Sequence, residues 1–377
     1  MTKVLHVITD LQMGGAERSL HRLLEASQQA DAEHHVVSLR GSDPVGGYIR
    51  AVGIPVTAIG IQGAAGGVMG LRRLRDLMVR YRPDVIQGWM YHGCLAATMA
   101  SAGLSHHARV IWCIRHSLTS LRPEKPLTRQ VIRWCGMASE HADHIVWNSS
   151  RSRSQHEAMG FRGRAHHVVE NGISLDACAL EQSAAARARW SWGVPDGALV
   201  VGSVARFHPM KGHAALVSSL EPLVNRNVDL HLVLCGRGCE PSGPAWRLVA
   251  QSPALRQRTH FLGEVANPDA VYPGLDVFVT PSLWGESCPN ALIEAMASGV
   301  PCVATDLGGS AEILEGCGDV VPPGDIERLS RAVHRVLRLP PQERRRAGEL
   351  GRGRARARYD IARTARRYEH LWAGAAP

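Results

Sequence analysis

Trp284-Gly-Glu-Ser-Cys-Pro-Asn-Ala-Leu-Ile-Glu-Ala-Met-Ala-Ser-Gly-Val-Pro301 is the stretch from which the fold of this 377-residue sequence can be worked out. The pattern predicts a loop that becomes a short helix, because Pro289 suits the first helical turn, where a missing N–H costs nothing. Gly299 and Pro301 are typical of positions just past a helix end. An apolar stripe with helical spacing supports the helix, and it consists of Ala291, Leu292, Ala295 and Met296.

Two carboxylates flank the predicted start of this helix, Glu286 in the loop and Glu294 inside the helix. The N–H groups between them lie at the positive end of the helix dipole and favour an anion. We expect a diphosphate on the amides of Asn290, Ala291 and Leu292. One carboxylate would then lie on each side of the bound group.

A pair of cations precedes this stretch in the sequence. Arg206 and Lys211 follow a predicted strand and lead into a predicted helix at His213–Leu223. Arginine offers a planar fork and lysine a point charge, a combination that suits phosphates. The pair therefore predicts a second part of the anion site; the alternative is two solvated surface charges.

Strand-like and helix-like segments alternate along nearly the whole sequence. The predicted strands are Val4–Thr9, Val36–Leu39, Val56–Ile59, Val85–Gln87, Val110–Arg115, His144–Trp147, Val168–Val169, Leu199–Val204, Leu230–Cys235, Phe261–Glu264, Val277–Pro281, Val303–Thr305 and Asp319–Pro322. Such alternation predicts parallel sheets covered by helices on both faces, with ligands beyond the carboxyl ends of the strands. A helical, Ala- and Arg-rich connector at Asp176–Trp192 separates two such runs. Further helices are expected after Ile326, with a break at Tyr359-Asp360.

Polar clusters follow several predicted strands of the first half. The pair Gly14-Gly15 predicts a turn into a helix whose N-terminus can hold phosphate; the alternative is a plain tight turn. Trp89 and His92 could form a wall of an acceptor site, or they could be core packing at a strand end. His116 lies at another strand end, where it is either a site residue or, like most of the histidines here, a surface or core residue without a functional role.

The Glu-x7-Glu spacing, with its flank Glu-Ala-Met-Ala-Ser-Gly-Val-Pro, resembles the signature of the family-4 retaining glycosyltransferases. Other stretches resemble the same family, and they are Gly14–Glu17, the strand end at His116, Asn171-Gly172-Ile173, Arg206 with Lys211, and Gly308–Glu312. Ser174 stands where the family has an aspartate, so any role of that carboxylate in the family is in doubt for this sequence.

The resemblance implies the GT-B fold, an α/β architecture of two Rossmann-like parallel-sheet domains facing across a cleft. The expected division is an acceptor-side domain at 1–175, with 360–377 packing back on it, and a nucleotide-sugar domain at 176–359. The C-terminal helix is expected to cross back to the first domain.

The resemblance also implies roles for individual residues. Arg206, Lys211, Gly15 and the amides of the predicted helix would bind the donor diphosphate. Glu294 would bind the ribose, Glu286 and His116 would act on the donor sugar, and Gly14, Trp89 and His92 would lie on the acceptor side.

The implied activity is transfer of a sugar, with retention, from a nucleoside-diphosphate sugar to an acceptor hydroxyl. We expect a UDP-sugar, with GDP-mannose second, and a lipid-linked or cell-surface glycan precursor as acceptor. The alternatives are transfer to a small soluble aglycone and a GT-B protein that binds a sugar nucleotide without transferring it. No metal and no cofactor are expected, in line with the family and with a sequence that lacks an Asp-x-Asp pair.

Composition sets limits on the surroundings of the protein. The sequence shows no secretory leader or membrane-span pattern, and its nine cysteines lack metal-site or disulfide spacing, so a cytoplasmic protein with reduced thiols is expected. Net charge is +6 for residues 1–178, −6 for 179–330 and +9 for 331–377. The basic parts make an anionic membrane, at the inner face of the plasma membrane, a candidate partner, unless arginine simply replaced lysine through composition bias. No nucleic-acid partner is expected, since the aromatic residues of the tail have the spacing of core packing.

Overall fold

The structure is a computed structural model that describes residues 1–63, 65–175, 182–226 and 229–375. The chain forms two compact units. The first comprises Met1–Gly172 together with Ile361–Pro377, and the second is Ile173–Asp360. The first six residues of the predicted connector, 176–181, lie outside the described residues.

The first unit is built on a seven-stranded parallel sheet with the order β3-β2-β1-β4-β5-β6-β7. Its elements are β1 Thr2–Ile8, α1 Gly15–Ala26, β2 Ala32–Ser38, α2 Val45–Ala51, β3 Val56–Ala58, α3 Ala65–Tyr81, β4 Val85–Trp89, α4 Met90–Ser101, β5 Arg109–Ile114, α5 Pro126–Ala138, β6 His144–Trp147, α6 Ser150–Ala158 and β7 Ala165–Val168. The central strands are buried along their length, as expected for strands covered on both faces.

The second unit repeats this architecture around a six-stranded parallel sheet with the order β10-β9-β8-β11-β12-β13. Its elements are α7 Gln182–Trp192, β8 Leu199–Val204, α8 His213–Val224, β9 Leu230–Cys235, α9 Pro244–Val249, α10 Pro253–Arg256, β10 Thr259–Gly263, β11 Val277–Thr280, α11 Asn290–Ala297, β12 Cys302–Thr305, α12 Ser310–Leu314, β13 Gly318–Val321, α13 Ile326–Leu337 and α14 Pro341–Arg358. Two Rossmann-like sheets of this kind confirm the predicted fold class, and all thirteen predicted strands are present.

The last helix, α15 Ile361–Ala373, belongs to the first unit, as predicted. Its residues Tyr368, Leu371 and Trp372 are buried in the same core as Trp89. The indole N–H of Trp372 donates to Oε1 of Gln87 at 2.7 Å, so its one polar atom is also satisfied. Residues from the far end of the chain therefore complete the core of the first unit.

Helix α14 carries much of the positive charge of the tail, and several of its arginines are paired within the second unit. Arg344 lies 3.0 Å from Asp276, Arg354 lies 2.9 Å from Glu315, and Arg358 lies 2.6 Å from Glu312. These arginines compensate acids of their own unit, which accounts for part of the contrast in charge seen in the sequence.

Helix α14 packs closely on α11. The backbone of Gly348 lies so near the carbonyl of Gly299 that a Cβ at position 348 would collide with it, and Gly351 lies against Met296. Glycines on α14 thus allow the short helix α11 to be covered, and α11 is buried over most of its surface. No helix in the described residues has the length and apolarity that crossing a bilayer would require.

Candidate active site

The stretch from Trp284 to Pro301 folds as a loop followed by a helix, close to the prediction. Helix α11 begins at Asn290, so Pro289 is its N-cap and not part of its first turn as predicted. The amide of Leu292 donates to the carbonyl of Pro289 at 3.2 Å. The predicted binding of an anion by the amide of Leu292 is therefore not supported, because this N–H already has an acceptor in the first turn. Gly299 ends the helix with a φ of 71°, as its position suggested.

Glu286 is nearly buried and forms an ion pair with Lys211. The carboxylate also accepts a hydrogen bond from the hydroxyl of Ser282 at 3.1 Å. The side chains of Lys211 and Glu286 are 21% and 11% exposed, so the pair lies near the surface but is largely shielded from water. Two residues chosen from separate parts of the sequence thus meet in one place.

The two loops that carry this pair are joined through the backbone. They follow β8 and β11, which are neighbours in the sheet. The amide of Leu283 donates to the carbonyl of Met210 at 2.8 Å. Gly212 has a φ of 68°, and a Cβ there would collide with the carbonyl of Pro281. Glycine is therefore needed twice at position 212, for its backbone conformation and for this close approach.

A third loop supports the backbone at Glu286 from another side. The amide of Gly309 donates to the carbonyl of Ser287 at 2.6 Å. Gly308 has a φ of 52°, and a Cβ at this position would collide with the carbonyls of Glu286 and Ser287. The glycine pair that the sequence analysis matched only to a family motif acts here as a backbone support.

Glu294 lies in α11 and is only 2% exposed. Its Oε2 accepts a hydrogen bond from the hydroxyl of Tyr272 at 2.7 Å, and Tyr272 is itself fully buried. The sequence analysis missed Tyr272, which lies in a short 3-10 turn at Tyr272–Gly274. A buried phenol thus fixes the orientation of this buried carboxylate, and a carboxylate has two oxygens that can each accept more than one hydrogen bond.

Arg206 lies on the loop directly after β8, and its side chain is exposed. Within the described residues it forms no ion pair with Glu286 or Glu294. The backbone around it is fixed, because the amide of Phe207 donates to the carbonyl of Arg237 at 2.7 Å. The structure therefore brings Lys211 to Glu286 and leaves the guanidinium of Arg206 accessible at the carboxyl end of the same strand.

The predicted residues of the first unit have varied surroundings. Gly14 is the N-cap of α1 and Gly15 its first residue, with open space where a Cβ would lie on Gly15. Trp89 is fully buried and its indole donates to Nδ1 of His6 at 3.3 Å. Core packing, the second interpretation of Trp89, is thus the one that the structure supports. The side chain of Trp89 has no exposed surface through which it could contact an acceptor.

His92 is partly buried on α4, and burial together with the charge of Arg40 lowers the pKa of its imidazole. His116 follows β5 and its side chain is 14% exposed. Its Nδ1 lies 3.2 Å from the hydroxyl of Tyr91 and its Nε2 lies 3.6 Å from Oε1 of Glu124. His116 is thus oriented by two neighbours that the sequence analysis did not single out.

Two family models match this chain. One is described as glycosyltransferase family 4 and matches residues 13–177; the other is described as glycosyl transferases group 1 and matches residues 198–338. The chain belongs to glycosyltransferase family 4. In this family-4 glycosyltransferase, one model thus matches most of the first unit and the other matches most of the second unit.

Individual relatives agree with this assignment. EpsF of Bacillus subtilis is 27% identical over 322 residues, which is 81% of this chain and 79% of that protein. A phosphatidyl-myo-inositol mannosyltransferase of Mycolicibacterium smegmatis is 34% identical over 157 residues, which is 40% of this chain and 39% of that protein.

Solved structures share the fold of this glycosyltransferase. HepE of Anabaena, in complex with UDP and glucose, is similar with a TM-score of 0.87 and 19% identity, over 99% of this chain and 100% of that one. WaaG, a glycosyltransferase involved in lipopolysaccharide biosynthesis, is similar with a TM-score of 0.76 and 14% identity, over 99% and 100% of the two chains. At these identities the likeness establishes the GT-B architecture of two Rossmann-like sheets.

Proposed function

We propose that this glycosyltransferase moves a sugar, with retention at the anomeric carbon, from a nucleoside-diphosphate sugar to an acceptor hydroxyl. The observation that carries the proposal is the ion pair of Lys211 with Glu286, on a loop that leads directly into the helix carrying Glu294. The loop after β8 thus brings a cation for phosphate to a segment that carries two carboxylates for hydroxyl groups.

The chemical difficulty of the reaction is the negative charge that grows on the leaving diphosphate. Lys211 and Arg206 would stabilise this charge, and so would the positive end of α11 at Asn290 and Ala291. The first residue of α1, Gly15, leaves room for a phosphate to approach the backbone. Only stabilisation that is stronger in the transition state than in the bound substrate raises the rate of transfer.

The carboxylates have separate roles in this proposal. Glu294, held by Tyr272, would accept hydrogen bonds from the ribose hydroxyls. Glu286 would hold hydroxyls of the donor sugar and support a positively charged, oxocarbenium-like ring. His116 would contact the donor sugar, which is the role that its place in the family pattern implies, while Gly14 and His92 belong to the acceptor side.

We propose that the reaction needs no metal ion, because Arg206, Lys211 and a helix N-terminus together can supply the positive charge that a divalent cation would otherwise bring. Addition of a chelator should leave the rate unchanged. Loss of activity that returns on adding a divalent cation would contradict this part of the proposal.

The donor we favour is a UDP-sugar, with GDP-mannose second. The UDP complexes of HepE support the first and the mannosyltransferase relatives support the second. A thermal-shift panel of sugar nucleotides decides between them, because a matched donor stabilises the native state by mass action. We expect UDP-sugars to raise the Tm more than GDP-mannose at equal concentration; the reverse order would assign the donor to the second class.

The acceptor we propose is a lipid-linked glycan precursor at an anionic membrane surface on the cytoplasmic side. Helix α5 supports this proposal with an exposed apolar stripe, formed by Leu127, Trp134 and Met137, which are 69%, 44% and 68% exposed. Their spacing of seven and three residues places them on one face of the helix. Exposed basic side chains are near the stripe in sequence, Arg122 and Lys125 before the helix and Arg133 within it. Apolar residues combined with cations suit the interface of an anionic bilayer.

Co-sedimentation with vesicles tests this contact. We expect binding to phosphatidylcholine vesicles that contain phosphatidylglycerol, and we expect Trp134→Glu to weaken it about tenfold or more. Trp190→Glu is the matched control, since Trp190 is 86% exposed on α7 in the second unit. Equal effects of both substitutions, or equal binding without phosphatidylglycerol, would overturn the proposed membrane contact and favour a small soluble acceptor.

A binding protein without transferase activity is the second candidate. The intact set of Glu286, Glu294 and Lys211, each with the contacts described above, favours an enzyme over a decayed site. Incubation with the matched donor decides the question. We expect release of the nucleoside diphosphate, by transfer or slow hydrolysis; tight donor binding with no release on any acceptor would favour the binder.

A further inference from the structure

A hydrogen-bonded chain in the first unit connects His116 to the backbone through two other rings. Nδ1 of His156 lies 2.7 Å from the carbonyl oxygen of Ser152, and Nε2 of His156 lies 2.7 Å from the hydroxyl of Tyr91. The same hydroxyl lies 3.2 Å from Nδ1 of His116. Tyr91 and His156 are 4% and 0% exposed, so water does not compete for these contacts.

The direction of each hydrogen bond follows from its end at Ser152. A carbonyl oxygen can only accept, so Nδ1 of His156 must carry a proton and donate it. Burial lowers the pKa of His156 to about 4, which keeps the ring neutral near pH 7, and its Nε2 is therefore an acceptor. The hydroxyl of Tyr91 must donate to that atom, and burial raises the pKa of this phenol well above its usual value, so the proton is retained.

The single hydroxyl proton of Tyr91 is thus committed to His156. The phenol oxygen can then only accept from its other neighbour, Nδ1 of His116. We infer that this relay from Ser152 through His156 and Tyr91 keeps a proton on Nδ1 of His116, so that His116 exchanges protons and meets ligands only through Nε2, beside Glu124. Tyr91 and His156 are positioning residues for His116 in the reaction proposed above, and this part of the inference rests on that function.

The parts of the relay are held rigidly by the surrounding core. Tyr91 lies at the start of α4, where Gly93 packs so closely on the carbonyl of Val7 that no side chain would fit. The ring of His156 lies 4.8 Å from that of Trp147 and 5.0 Å from that of Phe161. The hydroxyl of Ser152 donates to the carbonyl of His116 at 2.6 Å, which ties the backbone of the histidine to the same helix. The proton on Nδ1 of His116 is therefore held by fixed geometry in the core, whereas the Glu124 carboxylate beside Nε2, which can only accept, favours a second proton on that nitrogen when the ring is charged.

Nuclear magnetic resonance of the full chain labelled with ¹⁵N-histidine tests the inference without turnover. The His116 signals are identified by their loss in His116→Gln, and the spectra are recorded at alkaline pH, where the imidazoles are neutral. We expect Nδ1 of His116 to be protonated and Nε2 to be unprotonated. In Tyr91→Phe, we expect the proton to move to Nε2 in a large fraction of the molecules. A wild-type ring protonated on Nε2, or an unchanged tautomer in Tyr91→Phe, would overturn the inference.

Kinetics test the link to catalysis separately. Tyr91→Phe should lower kcat about tenfold or more while the donor KM stays within about twofold and the Tm is little changed. His156→Gln should retain most activity, because its amide oxygen can accept from Tyr91, whereas His156→Leu should behave like Tyr91→Phe. Tyr48→Phe, at an exposed tyrosine of the same unit, is the control. A tautomer change without a change in kcat would remove Tyr91 from the reaction and leave the proposed transferase activity standing.

Discussion

The ammonium group of Lys211 and the carboxylate of Glu286 form an ion pair within the second unit. The pair joins the loops that follow two neighbouring strands, β8 and β11, and the loops are also bonded through Leu283 and Met210. Each side chain is largely shielded from water, so removal of one partner leaves the charge of the other partner unbalanced. Substitutions at the two positions are therefore expected to differ in kind.

Glu286→Gln keeps the size of the side chain and an oxygen that can accept from Ser282, but it removes the charge. We expect kcat to fall by about two orders of magnitude or more, because the positive charge on the sugar ring loses its carboxylate. Affinity for the nucleoside diphosphate should stay equal or increase, since Lys211 is released for phosphate. Initial rates and calorimetric titration with the nucleoside diphosphate measure both. Glu327→Gln, at an 80% exposed glutamate of α13, is the control; wild-type turnover in Glu286→Gln would remove Glu286 from the mechanism.

Lys211→Met should raise the donor KM and lower kcat together, because the lost cation contacts the diphosphate both before and during transfer. Lys211→Arg should recover part of both, as it restores the charge with a different geometry. Arg331→Met, at an exposed arginine of α13, controls for loss of positive charge alone. Kinetics of Lys211→Met that match the wild type would refute the proposed diphosphate contact.

Tyr272→Phe removes the hydroxyl that holds Glu294 and leaves the rest of the ring in place. We expect the donor KM to rise about tenfold, equivalent to about 1.4 kcal/mol, with little change in kcat, because the ribose lies away from the reacting bond. The measurement is a full rate profile against donor concentration. A large fall in kcat at unchanged KM would show that Glu294 acts in the chemical step and not in ribose binding.

Two glycines of α14 should respond to alanine in opposite ways. Gly353 has open space at its Cβ position, so Gly353→Ala should stabilise the helix by about 0.5–1 kcal/mol. Gly348 lies against the carbonyl of Gly299, so Gly348→Ala should destabilise the packing of α14 on α11 by about 1–3 kcal/mol. Chemical unfolding of both variants gives the comparison. Equal stabilisation of the two would mean that α14 does not pack on α11 in solution.

The stability of the first unit should depend on pH through its buried histidines. Burial lowers the pKa of His34 from 6.5 to about 4, and His34 lies against His6 and Trp372 in the core. Below pH 6.5 this histidine binds a proton in the unfolded chain, whereas in the folded chain it stays neutral until about pH 4. Its contribution to the free energy of unfolding is therefore complete above pH 6.5 and is lost as the pH falls toward 4. The loss is about 1.4 kcal/mol per pH unit for each such histidine.

Unfolding followed between pH 7 and pH 4 measures this slope. We expect His34→Asn to reduce it and His107→Asn, at an exposed histidine of the same unit, to leave it unchanged. Identical slopes for His34→Asn and the wild type would show that protonation of His34 is not linked to unfolding.

Much of the fold could be predicted because its signals are local. Runs such as Leu199–Val204 and Leu230–Cys235 are mostly apolar, and the structure gives both strands the predicted bounds. Glycines that end helices, such as Gly299, could also be predicted. The positive φ at such a position favours glycine over other residues, and this signal lies within a few residues of the helix.

The contacts that orient the candidate site residues could not be predicted, because they join residues far apart in the sequence. Tyr272 is 22 residues from Glu294, and His156 is 65 residues from Tyr91. No periodicity marks either pair, and a tyrosine or histidine alone is usually core or surface. Both interpretations of Trp89 stayed open in the sequence for the same reason, because the sequence at a strand end is similar whether the side chain points to solvent or to the core.

The place of α15 in the first unit has a consequence for biosynthesis. Trp372 and its neighbours fill the core around Trp89, yet the ribosome adds them after the whole of residues 173–360. At about 5–20 residues per second this interval lasts roughly 10 to 40 seconds. During this interval the apolar surface that α15 covers in the first unit stays exposed, and chaperones can bind it. The second unit is one continuous segment, so its whole chain is synthesised before α15.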